Sequence, residues 1–119
     1  MSSRNMSVAG TFYPSECSEI ERYIQTFNQA VSSKKGKLSA RAIISPHAGY
    51  VYSGFSANAA YSLVDTQGIK RVVLIGPSHR VYLKGASVAL YEEYLSPCSK
   101  MKMDMEYSKA LIERYELFS

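Results

Sequence analysis

The sequence has little cysteine and no long hydrophobic run. Its 119 residues include two cysteines, Cys17 and Cys98, which are too few for a disulfide framework and lack the Cys-x-x-Cys spacing of zinc and redox sites. We therefore expect two reduced thiols. No stretch approaches the roughly 20 apolar residues that a membrane span needs, and the first ten residues lack the apolar core of a signal peptide. The expected location is the cytoplasm, with no membrane partner.

The chain has only a small excess of positive charge. Lysine and arginine outnumber aspartate and glutamate by 14 to 10, which gives a net charge of +4. Apart from Lys34, Lys35 and Lys37, the basic residues are scattered and are not interleaved with aromatic residues. A nucleic-acid-binding surface usually has a cluster of basic residues interleaved with aromatic residues. We therefore expect no nucleic-acid partner.

Three segments have the spacing of amphipathic helices: residues 15–31, 55–64 and 104–118. In the first, the apolar positions lie three and four residues apart: Cys17, Ile20, Ile24, Phe27 and Val31. Ser15 or Ser18 could cap this helix, and Gly68 marks the end of the second. The spacing predicts that each helix packs through one face.

Two short apolar runs, 41–46 and 71–77, each end in proline and predict buried strands. A weaker strand is predicted over 86–91. A strand, a helix and a strand in this order favour a right-handed βαβ unit with two parallel strands. The expected fold class is therefore α/β. Because the chain ends on apolar residues without enough sheet partners, we expect it to be part of a larger domain.

The two histidines occupy the same place in the two predicted strands. His47 follows Ile-Ile-Ser-Pro and His79 follows Leu-Ile-Gly-Pro-Ser. Ligands of open α/β sheets bind beyond the carboxyl ends of the strands, and neighbouring strands lie ~4.8 Å apart, so two imidazoles there could share one metal. The alternative is that each histidine only satisfies a local hydrogen bond. A third ligand is expected in either a redox or a hydrolytic metal site.

The residues around each histidine offer further polar groups. In the sequence Pro-His-Ala-Gly-Tyr-Val-Tyr, Tyr50 and Tyr52 present hydroxyls near His47, and Ser78 lies next to His79. A packing role is an equally simple reading for the tyrosines, since the chain has 10 of them.

Long stretches of the sequence closely resemble the Memo family, which includes the AmmeMemoRadiSam system protein B. These stretches are VAGTFYP at 8–14, RAIISPHAGYVYSG at 41–54, KRVVLIGPSHRV at 70–81 and Tyr-x-Ser-Pro at 94–97. The resemblance implies a class III extradiol dioxygenase-like fold, a three-layer α/β/α sandwich. Residues 1–119 would form the N-terminal part of this single domain, which is incomplete in this chain.

The resemblance also implies a function. It identifies His47 and His79 as metal ligands in a protein that binds iron or copper, with zinc also compatible with imidazole ligands. The third ligand of the family, a cysteine, belongs to the C-terminal half, and Cys98 does not match its position. The implied activity is that of a non-haem, metal-dependent redox or dioxygenase-like protein.

Two alternatives use the same pocket: a metallohydrolase, and a non-catalytic module that binds peptides. The resemblance implies that Phe12 and Tyr52 contribute to binding phosphotyrosine-type peptides, although some relatives have tryptophan at the position of Phe12. Phe12 and Tyr13 could instead anchor the N-terminal segment. The ligand would be a small molecule or a peptide, and the family name implies a functional link to AMMECR-type and radical-SAM proteins.

Overall fold

The computed structural model describes residues 2–31 and 40–119. It is a mixed α/β structure, and its described residues form three α-helices, one π-helical turn and a three-stranded sheet. None of the helices among these residues is long and apolar enough to cross a membrane. The chain divides into two units, which are described separately: Ser7–Gly68, and Met1–Met6 together with Ile69–Ser119.

The first unit, Ser7–Gly68, begins with a tight turn and continues into helix α1, Cys17–Ala30. The periodicity predicted this helix over 15–31. Its buried residue is Ile20, the one buried apolar side chain among the described residues, with 8% of its surface exposed. The predicted caps are wrong, because Glu16 is the N-cap and makes no side-chain capping hydrogen bond.

Helix α2, Phe55–Ser62, confirms the second predicted helix but ends earlier than residue 64. A π-helical turn, Tyr50–Gly54, runs directly into it. The two helices contact through an edge-to-face pair of rings, Phe27 and Phe55, whose centroids are 6.0 Å apart. The amide of Asn58 also donates to the side-chain oxygen of Asn28 at 2.7 Å.

The second unit contains the sheet, with strand order β1-β2-β3. Strand β1 is Ser3–Arg4, β2 is Glu93–Leu95 and β3 is Lys100–Lys102. Strand β1 pairs in parallel with β2, and β2 pairs antiparallel with β3. The β2–β3 turn is closed by hydrogen bonds from both the amide and the hydroxyl of Ser96 to the carbonyl of Ser99, each at 2.9 Å.

Helix α3, Met105–Arg114, confirms the third predicted helix over a shorter range than 104–118. Asp104 caps it, because its carboxylate accepts a hydrogen bond from the backbone N–H of Tyr107 at 3.0 Å. The chain after α3 returns to residues 86–88. Ala86 N–H donates to the carbonyl of Leu117 at 2.8 Å, and Ser119 N–H donates to the carbonyl of Ala86 at 3.0 Å.

The predicted strands are wrong for the described structure. Residues 42–47 and 71–78 form neither helix nor strand, and 86–91 contribute only an isolated bridge between Ala86 and Phe118. Their apolar side chains are exposed rather than buried: Ile44 is 98% exposed and Ile75 is 89% exposed. A strand forms through hydrogen bonds to its neighbour, and the described residues supply no neighbour for these runs.

The state of the cysteines also differs from the prediction. Cys17 and Cys98 are both disulfide-bonded, so the expectation of two reduced thiols is wrong for this structure. Bonding depends on the distance between the two Cα atoms in space. The separation of the cysteines along the sequence gives no measure of that distance.

Candidate functional site

His47 lies in the first unit, just before the π-helical turn, and its side chain is exposed. The backbone after it is fixed by three hydrogen bonds. The N–H groups of Tyr52 and Ser53 donate to the carbonyl of Gly49 at 2.9 and 3.0 Å, and the Ser53 hydroxyl donates to the carbonyl of Ala48 at 3.1 Å. The direction in which the chain leaves His47 is therefore set by the turn that follows.

The structure brings three of the predicted pocket residues together. Tyr50 N–H donates to the carbonyl of Phe12 at 2.8 Å, and the rings of Tyr13 and Tyr50 lie 6.3 Å apart. Gly49 lies beside this contact, and a Cβ added there would be in ordinary van der Waals contact with the Phe12 carbonyl oxygen, at 3.4 Å. The motif at 8–14 and the motif that contains His47 thus meet in one place within this unit.

The N-terminal motif is shaped by its own turn. Gly10 has a φ of +83°, which a residue with a Cβ rarely adopts. Its N–H donates to the carbonyl of Tyr13 at 2.6 Å, and Phe12 N–H donates to the carbonyl of Val8 at 2.9 Å. This turn presents the carbonyl of Phe12 to Tyr50.

Tyr50 also packs against helix α1, through a residue that the sequence did not single out. The rings of Tyr23 and Tyr50 form an edge-to-face pair with centroids 5.9 Å apart. Tyr23 in turn lies 5.7 Å from Phe27. We call Tyr13, Tyr23, Phe27, Tyr50 and Phe55 the aromatic cluster. Tyr23 stands one position before Ile24 of the predicted stripe, and no motif in the sequence marks it.

Phe12 and Tyr52 differ from the other aromatic residues of these motifs because they are exposed. Phe12 is 51% exposed and Tyr52 is 88% exposed. Tyr52 remains near the backbone of the turn, since a Cβ at Gly49 would lie 3.8 Å from its Cδ2. The two rings are therefore accessible to a ligand, whereas Tyr13 and Tyr50 contribute to packing.

His79 and Ser78 lie in the second unit, and both are exposed. They follow the run 71–77 and begin a bend over 79–81. The Ser78 hydroxyl donates a short hydrogen bond to the carbonyl of Val81. This bond directs the hydroxyl proton of Ser78 across the bend, and the lone pairs of its oxygen stay available to accept a hydrogen bond from a ligand.

The donors of His47 and His79 suit a borderline or soft transition metal. Imidazole nitrogen is a common ligand of iron, copper and zinc. Catalytic sites usually combine three protein ligands with an open position. Among residues 2–31 and 40–119, no three histidine, cysteine, aspartate or glutamate residues form a group that could hold a metal. The chain thus supplies the correct kind of donor but no complete set within its described part.

Comparison with known proteins identifies the sequence pattern. The family model described as "Memo-like protein" matches residues 4–119. The chain is 34% identical over 117 residues to the MEMO1 family protein MHO1 of Saccharomyces cerevisiae, covering 96% of this chain and 34% of that protein. It is 36% identical over 104 residues to Protein MEMO1 of Xenopus tropicalis, covering 87% of this chain and 34% of that protein.

A third relative gives a similar result. The chain is 32% identical over 108 residues to the memo-1 homolog of Caenorhabditis elegans, covering 91% of this chain and 30% of that protein. The chain thus spans about one third of the length of the relatives it matches. The matched region includes both histidine motifs, since residues 4–119 contain positions 47 and 79.

Proposed function

Since this chain belongs to the Memo family, we propose that His47 and His79 are two ligands of its metal site, in a non-haem iron- or copper-dependent redox protein of dioxygenase-like type. The observation that carries the proposal is the placement of each histidine. Each follows an apolar run that ends in proline, each side chain is exposed, and each lies in a segment without helix or strand. An exposed imidazole is accessible to a metal ion, of which it is a common ligand.

The neighbouring residues support this role, because their hydrogen bonds fix the backbone that follows each histidine. After His47, the carbonyls of Ala48 and Gly49 accept hydrogen bonds from the π-helical turn. After His79, the bend is held by the hydroxyl of Ser78. A ligand whose backbone is fixed loses less conformational entropy when it binds a metal, so it binds more tightly.

A bound iron or copper ion would supply redox chemistry with dioxygen or a reactive oxygen species as the co-substrate. The chain's own residues would hold the ion through imidazole nitrogen and leave positions open for a substrate. The exposed rings of Phe12 and Tyr52 offer apolar surface to that substrate, and the Ser78 oxygen can accept a hydrogen bond from it. The remaining ligand would come from outside this chain.

We further propose that the two apolar runs become strands of a three-layer α/β/α sandwich of class III extradiol dioxygenase type in the full-length protein. The exposure of Ile44, at 98%, and of Leu74, at 79%, supports this proposal. Both are apolar residues in positions that a covered sheet would bury. In that fold, residues 1–119 are the N-terminal part of one domain.

Titration of the 119-residue chain with ferrous or cuprous ions tests the metal site. Weak binding of one ion per chain is expected, and it should be lost in both His47→Ala and His79→Ala. The matched control is Glu116→Gln, which removes an exposed carboxylate from the second unit and should leave binding unchanged. Retained affinity in both histidine variants would contradict the proposal.

A second function, peptide binding without metal chemistry, is favoured by the exposure of Phe12 and Tyr52. Exposed aromatic rings are frequent anchors of protein interfaces. The double variant Phe12→Ala, Tyr52→Ala should reduce the affinity for a phosphotyrosine peptide, measured by fluorescence anisotropy, and should leave metal binding unchanged. Peptide affinity that survives both the double variant and the removal of metal would count against this second function.

A further inference from the structure

Arg71, the first residue of the apolar run that leads to His79, contacts two residues at the start of helix α3. Its Nε donates to Oδ2 of Asp104 at 2.9 Å, and its Nη2 lies 2.7 Å from the same oxygen. Its guanidinium carbon also lies 4.3 Å from the centroid of the Tyr107 ring. One side chain thus makes an ion pair and a cation–π contact with the same turn of helix.

Asp104 uses its two oxygens for different purposes. Oδ1 accepts the backbone N–H of Tyr107 and caps α3, while Oδ2 accepts both nitrogens of Arg71. The hydrogen bond from the helix to Oδ1 therefore orients the carboxylate whose Oδ2 binds Arg71. Tyr107 takes part twice, through its backbone N–H and through its ring. The three residues form a closed set of contacts, which we call the Arg71 clamp.

The segment that follows the clamp is otherwise weakly held. Among the described residues, no backbone hydrogen bond involves residues 72–77, and the side chains of Val72 and Leu74 are 78% and 79% exposed. An isolated surface ion pair contributes little to stability, but a pair in which two nitrogens engage the carboxylate and a ring covers the guanidinium is better defined in geometry.

We propose that Arg71, Asp104 and Tyr107 act as a positioning clamp, which fixes the start of the run 71–77 to helix α3 and so sets the point from which the chain runs to His79. The clamp is a property of the second unit and does not depend on a metal. Its consequence for metal binding rests on the proposed function of His79. Arg71 is a positioning residue, because it acts through the backbone that follows it.

The test uses variants that distinguish the N-cap function of Asp104 from its contact with Arg71. Asp104→Ser keeps an N-cap oxygen, since serine is a good N-cap, but its side chain is too short to reach Arg71. Arg71→Gln removes the charge and leaves Asp104 in place. Arg71→Lys keeps the charge and loses the paired nitrogens. Tyr107→Phe is the matched control, because it keeps the ring that covers the guanidinium.

Backbone order parameters from NMR relaxation on the full 119-residue chain give the readout. In Asp104→Ser and Arg71→Gln, the values for Val72 and Val73 should fall below about 0.6, the range of flexible backbone. Arg71→Lys should be intermediate and Tyr107→Phe unchanged. The Cα shifts of α3 should stay helical in all four variants, which shows that the helix has not unfolded. Unchanged order parameters in both Asp104→Ser and Arg71→Gln would overturn the clamp.

A metal titration of the same variants tests the consequence separately. Asp104→Ser should bind ferrous ion several-fold more weakly than the parent chain, because His79 then starts from a less defined backbone. If His79→Ala retains full affinity, the proposed function fails, while the order parameters still decide the clamp. If order parameters fall and affinity does not, the clamp stands and its link to the metal is overturned.

Discussion

The backbone N–H of Tyr50 donates to the carbonyl of Phe12 at 2.8 Å, which joins the N-terminal motif to the motif of the first histidine. The side chain of Tyr50 strengthens the same junction, because its ring contacts both Tyr13 and Tyr23. The ring of Tyr50 thus has a structural role beside His47. The hydroxyl of Tyr50 can have a separate role, in binding a ligand.

Two substitutions distinguish the contribution of the Tyr50 ring to stability from that of its hydroxyl. Tyr50→Ala should lower the free energy of unfolding by about 1–3 kcal/mol, since it removes two aromatic pairs worth about 0.5–1.5 kcal/mol each. Tyr50→Phe keeps both pairs and should stay within about 0.5 kcal/mol of the parent chain. Chemical denaturation followed by circular dichroism measures both. Equal losses in the two variants would show that the hydroxyl, and not the ring, stabilises the junction.

Three glycines allow a graded test of backbone strain. Gly85 has a φ of +86°, and a Cβ there would lie inside contact distance of the Leu117 carbonyl oxygen. Gly85→Ala should therefore cost about 2–5 kcal/mol, the sum of a left-handed backbone penalty and a steric clash.

Two other glycines serve as controls for Gly85. Gly68 has a φ of +82° with nothing near its added Cβ, so Gly68→Ala should show only the backbone penalty of about 1–2 kcal/mol. Gly76 has neither a positive φ nor a close neighbour, and Gly76→Ala should be nearly neutral. Thermal unfolding of the three variants should rank them in this order, and a Gly76 variant as unstable as the Gly85 variant would contradict the explanation.

Asp104 predicts how helix α3 responds to acid. The backbone hydrogen bond from Tyr107 lowers the pKa of this carboxyl below its ordinary value of 3.8, and the hydrogen bond from Arg71 lowers it further. A carboxyl whose folded pKa is lowered contributes stability that is complete above the unfolded pKa and is lost as the pH falls through the folded pKa. The helix should therefore weaken only below about pH 3.9.

The matched pair for this acid response is Asp104→Asn and Glu106→Gln. Asparagine keeps the N-cap but cannot titrate, so this variant should lose the part of the acid response that depends on Asp104. Glu106 lies in the same first turn, and its substitution should leave the transition in place. Helix content of α3 as a function of pH, measured by Cα chemical shifts, distinguishes the two. Equal effects would assign the response to general charge rather than to Asp104.

The cysteines give a prediction about redox state. Because both are disulfide-bonded, thiol counting in denaturant should find none without reductant and two after reduction. Structural disulfides are rare in the cytoplasm, so the result also bears on the predicted cytoplasmic location, which stays a prediction. Two reactive thiols in the unreduced chain would contradict the structure and support that location.

The helices could be predicted from the sequence because their signals are local. The stripe around Ile20 and Ile24 gave α1 within two residues at its start, and each helix contains its own hydrogen-bond partners. The strands could not be predicted in this way. A strand needs a partner elsewhere in the chain, so the apolar residues near Ile44 and Leu74 were assigned to strands that do not form here.

None of the three strands that do form was predicted, and the two longer ones, β2 and β3, show why. Their sequence Glu-Tyr-Leu and Lys-Met-Lys has no run of β-branched residues. For the site, the motifs predicted that Phe12, Tyr13 and Tyr50 line a pocket, and this role stays a prediction. In the structure Tyr50 contacts both Phe12 and Tyr13. The contact of Tyr23 with Tyr50 was not predicted, because Tyr23 lies in α1, outside the motifs.

The exposed run that follows Arg71 has a consequence for the lifetime of the chain in solution. Val72, Val73, Leu74 and Ile75 are uncharged, prone to β-structure and between 61% and 89% exposed. Segments of this kind seed cross-β fibrils. The flanking residues oppose stacking, since the charges of Lys70 and Arg71 repel their copies and Pro77 cannot donate to a ladder. We therefore expect these flanking residues to slow fibril growth from the exposed run.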